Sequence, residues 1–153
     1  MSKPKNLIEK LNTSQTLLGL DFGDKTIGIA VSDKSFTIAS PIKTIQRKGI
    51  VKDIDKLLVI FKEYNVGGLV IGLPLSLNGE ENNRTKKVRI FVKEIKLKSK
   101  IRIELYDERF SSDIIFKEFR KDLQSASKIK KKIDQQAAAY ILQGFLDNAK
   151  NNY

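Results

Sequence analysis

The chain has 153 residues, of which 41% are hydrophobic, and 29 Lys and Arg stand against 18 Asp and Glu for a net charge of +11. That length and apolar fraction suit one packed domain, and no apolar run reaches the roughly 18 residues of a membrane span. Cysteine and histidine are both absent, which excludes disulfides, thiolate nucleophiles, Ser-His-Asp triads, imidazole bases and imidazole-bound metals.

Residues 1–15 are polar and lysine-bearing, and read as a loose N-terminal arm or a short helical turn outside the core. Strands are predicted at 16–22 and 26–32, two short Ile, Val and Leu-rich runs joined by the turn Gly23-Asp24-Lys25-Thr26. A third is predicted at 36–45, where Pro41 calls for an edge or a bulge. Residues 49–64 carry Ile50, Ile54, Leu57, Leu58 and Phe61 at helical spacing. Val66–Leu73 is a continuous buried strand closed by Pro74, and 74–82 is a polar loop with Asn78-Gly79 at its turn. Asn82 or Asn83 caps the next helix, whose apolar face is Val88, Phe91, Val92 and Ile95. Ile101–Asp107 alternates as a strand, and Ser111 or Ser112 opens a helix carrying Ile115 and Phe119. A lysine-rich link at 128–132 precedes a last helix from about 133 to 148. The domain is thus expected over 16–149, with 150–153 as a tail. Because strands alternate with helices in the second half, the sheet there should be parallel, with helices packed on it.

Without histidine, hydrolysis at neutral pH falls to carboxylates, and hard oxygen ligands point to Mg²⁺ or Mn²⁺. Asp21 is the anomaly, an acid inside an apolar strand, where an uncompensated carboxylate costs several kcal/mol. Alternation puts Leu17, Gly19, Asp21 and Gly23 on one face, and the two glycines leave space beside the carboxylate for a ligand. Glu108 lies at the end of a later strand, where ligands collect in open α/β sheets, and Asp134 opens the last helix. Three such acids can bind one or two metal ions that activate water against a phosphodiester. Plainer accounts exist for two of them: Asp134 complements a helix dipole, and Glu108 beside Arg109 makes a surface ion pair. Asp107 competes with Glu108, and Asp24 and Asp33 read as turn residues.

Five segments in order resemble the YqgF family: Gly19-Leu20-Asp21-Phe22-Gly23; Ile27-Gly28-Ile29-Ala30-Val31-Ser32-Asp33; Val70-Ile71-Gly72-Leu73-Pro74-Leu75 with Asn78-Gly79; Asp107-Glu108-Arg109-Phe110-Ser111-Ser112; and Ile133-Asp134-Gln135-Gln136-Ala137-Ala138 with Ile141-Leu142-Gln143. The match runs from about residue 17 to 147. The resemblance implies an α/β ribonuclease H-like fold, a five-stranded mixed sheet whose first three strands form an antiparallel meander, flanked by helices. It implies Asp21, Glu108 and Asp134 as catalytic and metal-binding acids, and a cytoplasmic nuclease for the 5′ end of pre-16S rRNA. The older inference for the family is resolution of Holliday junctions. Departures are Thr26 where the family usually has arginine, Ile114 where it has a small residue, and Lys130-Lys131-Lys132 in place of a basic pair, which keeps charge without bidentate geometry.

The resulting expectation is metal-dependent phosphodiester hydrolysis. Asp21 bridges or ligates the metal ions, Glu108 ligates one and orients water, and Asp134 completes the shell. Lys25, Arg84, Arg109 and Lys132 are the candidate phosphate contacts. The excess of positive charge favours nucleic acid over an anionic membrane: structured RNA, branched DNA or a ribosomal precursor particle, met by a monomer or homodimer. The rivals are a non-catalytic RNA-binding assembly or transcription factor, and an actin-like or sugar-kinase-like phosphotransferase, which normally needs a longer chain.

Overall fold

The computed structural model describes residues 4–108 and 126–150, and for 126–135 the backbone alone. The described elements are α1 (Pro4–Glu9), β1 (Thr16–Phe22), β2 (Thr26–Ser32), β3 (Ala39–Gln46), α2 (Ile50–Glu63), β4 (Val66–Leu73), α3 (Asn83–Lys98), β5 (Arg102–Asp107) and α4 (Ala126–Lys150). The helix predicted after Ser111 lies outside the described residues.

The five strands form one sheet in the order β3-β2-β1-β4-β5. β1, β2 and β3 run antiparallel as a meander, whereas β4 pairs parallel with β1 and β5 parallel with β4. This is the mixed sheet that the family resemblance implies, with the parallel second half that the alternation of strands and helices predicts. Pro41 sits on the edge strand, and the β2–β3 register shifts between Ile29 and Ala30, the residue it faces. Edge and bulge both accommodate its missing N–H.

Each face of the sheet carries its own core. Leu18, Leu20 and Phe22 of β1 join Ile27, Ile29, Leu69, Ile71 and Leu73 beneath α2 and α3. Leu17, Ala30 and Val70 point the other way, onto Ala138, Ile141, Leu142 and Phe145 of α4. Tyr106 closes this second layer: its ring meets Phe145 edge-on at 6.0 Å, and its hydroxyl accepts a 2.7 Å hydrogen bond from Asn148.

Three local readings change. The N-terminal arm includes helix α1, and Leu7 is buried in the second core beside Leu17, because Leu7, Ile8 and Leu11 share one helical side. β3 starts at Ala39 rather than 36 because Asp33 holds the preceding turn. Its Oδ1 accepts from the Thr37 and Ile38 backbone N–H groups, at 2.7 and 3.1 Å. The lysine-rich link at 128–132 is helical, part of α4; lysine is a good helix former and no Gly or Pro interrupts the run.

Candidate active site

Asp21 stands one residue before the end of β1, opposite Gly28 of β2. Because side chains alternate, it shares the α4 face with Leu17 and Gly19. On the next strand Leu20 pairs with Ile71, so Asp21 comes level with Gly72. Gly72 in turn pairs with Tyr106 of β5, and the Glu108 N–H follows the strand with a 3.4 Å hydrogen bond to the Leu73 carbonyl. Glu108 therefore follows Tyr106 on the α4 face and leans over Gly72, where its carboxylate occupies the space a β-carbon there would need. Asp107 falls with Ile103 and Leu105 on the opposite side. Alternation thus separates the two acids that compete at the strand end.

The electrostatics tie Asp21 and Glu108 together. Burial pushes the Glu108 carboxyl up, and the Asp21 charge pushes it further; Arg84 opposes this and Asp107 adds a little, leaving it at about 7. Asp21 is half-buried. Two carboxylates repelling each other in a niche of low solvent access form a negative site suited to a cation. The donors are all oxygen, which fits Mg²⁺ or Mn²⁺; Mg²⁺ is commonly held by one or two carboxylates and keeps several waters. Asp134 lies within α4, with its side chain outside the described residues, and among the described residues no cluster of three acids forms.

The candidate phosphate contacts divide. Lys25 and Arg84 line one cleft of about 510 Å³ together with Phe22, Gly23, Asp24, Thr26 and Lys87. Arg109 lies outside the described residues, and of Lys132 only the backbone position on α4 is described. Arg84 is fixed by the start of α3. The Asn82 side-chain oxygen accepts from the Arg84 and Thr85 N–H groups, at 2.9 and 3.1 Å, while the Thr85 hydroxyl oxygen accepts from the Asn82 N–H at 2.8 Å. This is a reciprocal capping box. The Asn82 amide also donates to the Pro74 carbonyl at 3.0 Å, binding the 74–82 loop to the helix it precedes. Asp24 is paired with Lys87 at 3.0 Å, and that ammonium holds its carboxyl below the usual range.

Sequence reasoning missed two features. The room beside the acids comes from Gly72, not from Gly19 and Gly23. A β-carbon on Gly19 would stand 2.7 Å from Leu142 Cβ, and one on Gly23 3.0 Å from the Thr26 carbonyl, so these glycines serve helix packing and the turn. Gly72 is visible in the sequence only as one glycine in a buried strand, a pattern that marks close approach without saying of what. The second is Arg47, whose guanidinium lies 4.4 Å over the Phe22 ring. It donates to Asp53 at 3.1 Å and to the Gly23 carbonyl at 3.2 Å. It thereby ties α2 to the turn that follows Asp21.

The family model for RuvX, described as a Holliday junction resolvase, matches residues 15–148. The chain belongs to the RuvX family. It is 41% identical over 145 residues to a protein of Paramagnetospirillum magneticum and 41% identical over 145 residues to one of Bartonella tribocorum. Both are named as candidate pre-16S rRNA nucleases, and the matches cover 95% of this chain and 94% and 93% of theirs. In backbone, this RuvX-family chain is similar to Thermus thermophilus RuvC in complex with a Holliday junction substrate. The TM-score is 0.55 with 9% identity, covering 90% of this chain and 95% of that one. At that identity the likeness is one of fold, the ribonuclease H-like arrangement expected from the resemblance.

Proposed function

We propose that the chain is a divalent-metal-dependent nuclease that hydrolyses phosphodiester bonds, acting in 5′-end processing of pre-16S rRNA. The observation that carries this reading is that Glu108 leans over Gly72, level with Asp21 on the neighbouring strand, and is raised by the Asp21 charge. The names of the 41% identical relatives supply the substrate.

Asp21 and Glu108 would hold the metal, with Asp134 of α4 as the third ligand. A bound Mg²⁺ or Mn²⁺ ion supplies Lewis-acid stabilisation of charge on the scissile phosphate and makes water a better nucleophile. Before a cation binds, burial and the Asp21 charge hold the Glu108 carboxyl up at about 7; a bound cation would draw it to the charged form, from which Glu108 would hold the ion and orient the attacking water. Asp21, one residue before the end of β1, would fix the position of the reacting centre. Lys25 and Arg84 border the cleft beside it and would bind the flanking phosphates, Arg84 through its planar fork. Arg109 and Lys132 are proposed as further phosphate contacts. The net charge of +11 favours polyanion capture. Among the described residues no helix is long and apolar enough to cross a membrane; the cytoplasmic setting is part of the proposal and follows from the rRNA substrate.

The family description favours a second reading, resolution of four-way DNA junctions. The test is cleavage of a precursor rRNA 5′ segment and of a four-way junction side by side in Mg²⁺ or Mn²⁺, with product ends mapped. The rRNA reading expects defined cleavage of the RNA, lost in Asp21→Asn. Cleavage of the junction alone selects the second reading. Cleavage of either substrate undiminished in Asp21→Asn removes the proposed centre.

A further inference from the structure

The flank of α3 that faces the sheet edge is basic along its length. Lys86, Arg89, Lys93 and Lys96 recur at intervals of three and four, all exposed, so they stand one above another on one side of the helix. Arg89, Lys93 and Lys96 border a groove of about 520 Å³ between α3 and the edge strand β5, floored by Val92, Ile103 and Leu105. Acids near this flank include Glu81, which pairs with Arg89, Glu104 on the groove's rim, and Asp107 at the end of β5 on the same face as Ile103 and Leu105. Exposed Lys100 and Arg102 extend the positive charge at the start of β5.

Direction gives the stripe its meaning. α3 connects the parallel strands β4 and β5, so it runs back against them. Its first turn, with Arg84, lies at the sheet end that holds Asp21 and Glu108, and its last turn lies at the far end. From Lys86 to Lys96 the stripe covers about 15 Å at 1.5 Å per residue, the length of about four or five stacked base steps at 3.4 Å each. We propose that this flank of α3 is a track for the phosphate backbone of the nucleic acid, carrying the strand away from the cleavage centre along the β5 edge. The proposal rests on the nuclease reading for its ligand, and it adds the path the strand takes. Phosphate contacts of this kind position the substrate without reading its sequence, and they act together with the centre only on substrates long enough to reach both.

The test is equilibrium binding of single-stranded RNAs of about five and about twenty nucleotides over a salt series, for the wild-type chain, K93E/K96E, and K52E/K56E on the exposed side of α2. For the long RNA, K93E/K96E should weaken binding about tenfold or more at low salt. It should flatten the log–log salt slope by about 1.4, since each single-strand phosphate contributes about 0.7. For the short RNA, which spans little more than the stripe itself, the loss should be smaller, and K52E/K56E should leave the slope intact. The milder K93A/K96A, with a smaller change in the same direction, covers the case in which charge reversal disturbs folding. A slope insensitive to the α3 changes, or moved equally by the α2 changes, overturns the track even if the chain cleaves RNA. A slope change that persists in a chain with no cleavage activity keeps the track and discards the nuclease reading instead.

Discussion

Glu108 is the residue on which stability and activity meet. Its carboxyl titrates at about 7 in the folded chain against an ordinary value of 4.5, so the folded state binds more protons than the unfolded state between those values. Stability of the metal-free protein should therefore fall as pH rises from about 4.5 to about 7, by a ceiling of about 3 kcal/mol. Thermal melts in chelator across that range should show the fall, Glu108→Gln should flatten it, and added Mg²⁺ should reverse it by favouring the charged form. Gly72 is the complementary case. A methyl group there would collide with the Glu108 carboxylate and come 2.6 Å from Ile141 Cδ1, overpacking that typically costs about 1–3 kcal/mol. Gly72→Ala should remain folded at low temperature yet lose metal-dependent cleavage, because the side chain that must move is the acid itself. Retained cleavage at the wild-type rate would separate Gly72 from the site.

Among the elements, α2 carries the least visible duty. Asp53 is fully buried in its first turn, where it accepts from the Arg47 guanidinium at 3.1 Å and from the Lys48 N–H at 2.9 Å. Arg47 reaches on to the Gly23 carbonyl and covers Phe22, which itself stacks on Phe91 of α3 at 4.3 Å. Asp53→Ala would leave the Lys48 N–H and the part-buried Arg47 guanidinium without their carboxylate, and should cost about 1–3 kcal/mol in denaturant unfolding. Replacing both by apolar residues of similar size should cost much less. Nothing in the local pattern distinguishes Asp53 from an ordinary acid in a helix's first turn. Its partner lies in the preceding loop, and the pair becomes visible only once β3 and α2 are folded together. The strands and helices themselves were legible because their apolar spacing is regular: Val66–Leu73 matches its predicted span, and Asn82 caps α3 as its position allows. Where the sequence misled, at residues 36–38 and 128–132, side-chain hydrogen bonding in a turn and the helix propensity of lysine decided the outcome.

At the scale of the molecule, the sheet topology brings together acids separated by most of the chain. β1 lies at the centre of the order β3-β2-β1-β4-β5, and the parallel crossover through α3 returns β5 beside β4, so that the ends of β1, β4 and β5 meet at one edge. Asp21 could be singled out from one strand, because a carboxylate in an apolar run demands compensation. The choice between Asp107 and Glu108 required the face each takes, which depends on register. The role of Gly72 required knowing which side chain crosses above it. Asp134 and Lys132 belong to α4, which packs on the same face of the sheet, and their place in the centre stays a proposal.

The nuclease centre proposed for this chain exists only if Asp21 and Glu108 jointly hold a divalent ion. Titration of Mn²⁺ into the full-length chain, followed by calorimetry or by the electron paramagnetic resonance signal of free Mn²⁺, measures this directly. Wild type should bind, and Asp21→Asn and Glu108→Gln should each weaken binding about tenfold or more, about 1.4 kcal/mol. Wild-type affinity in both variants, with the fold intact, would contradict it.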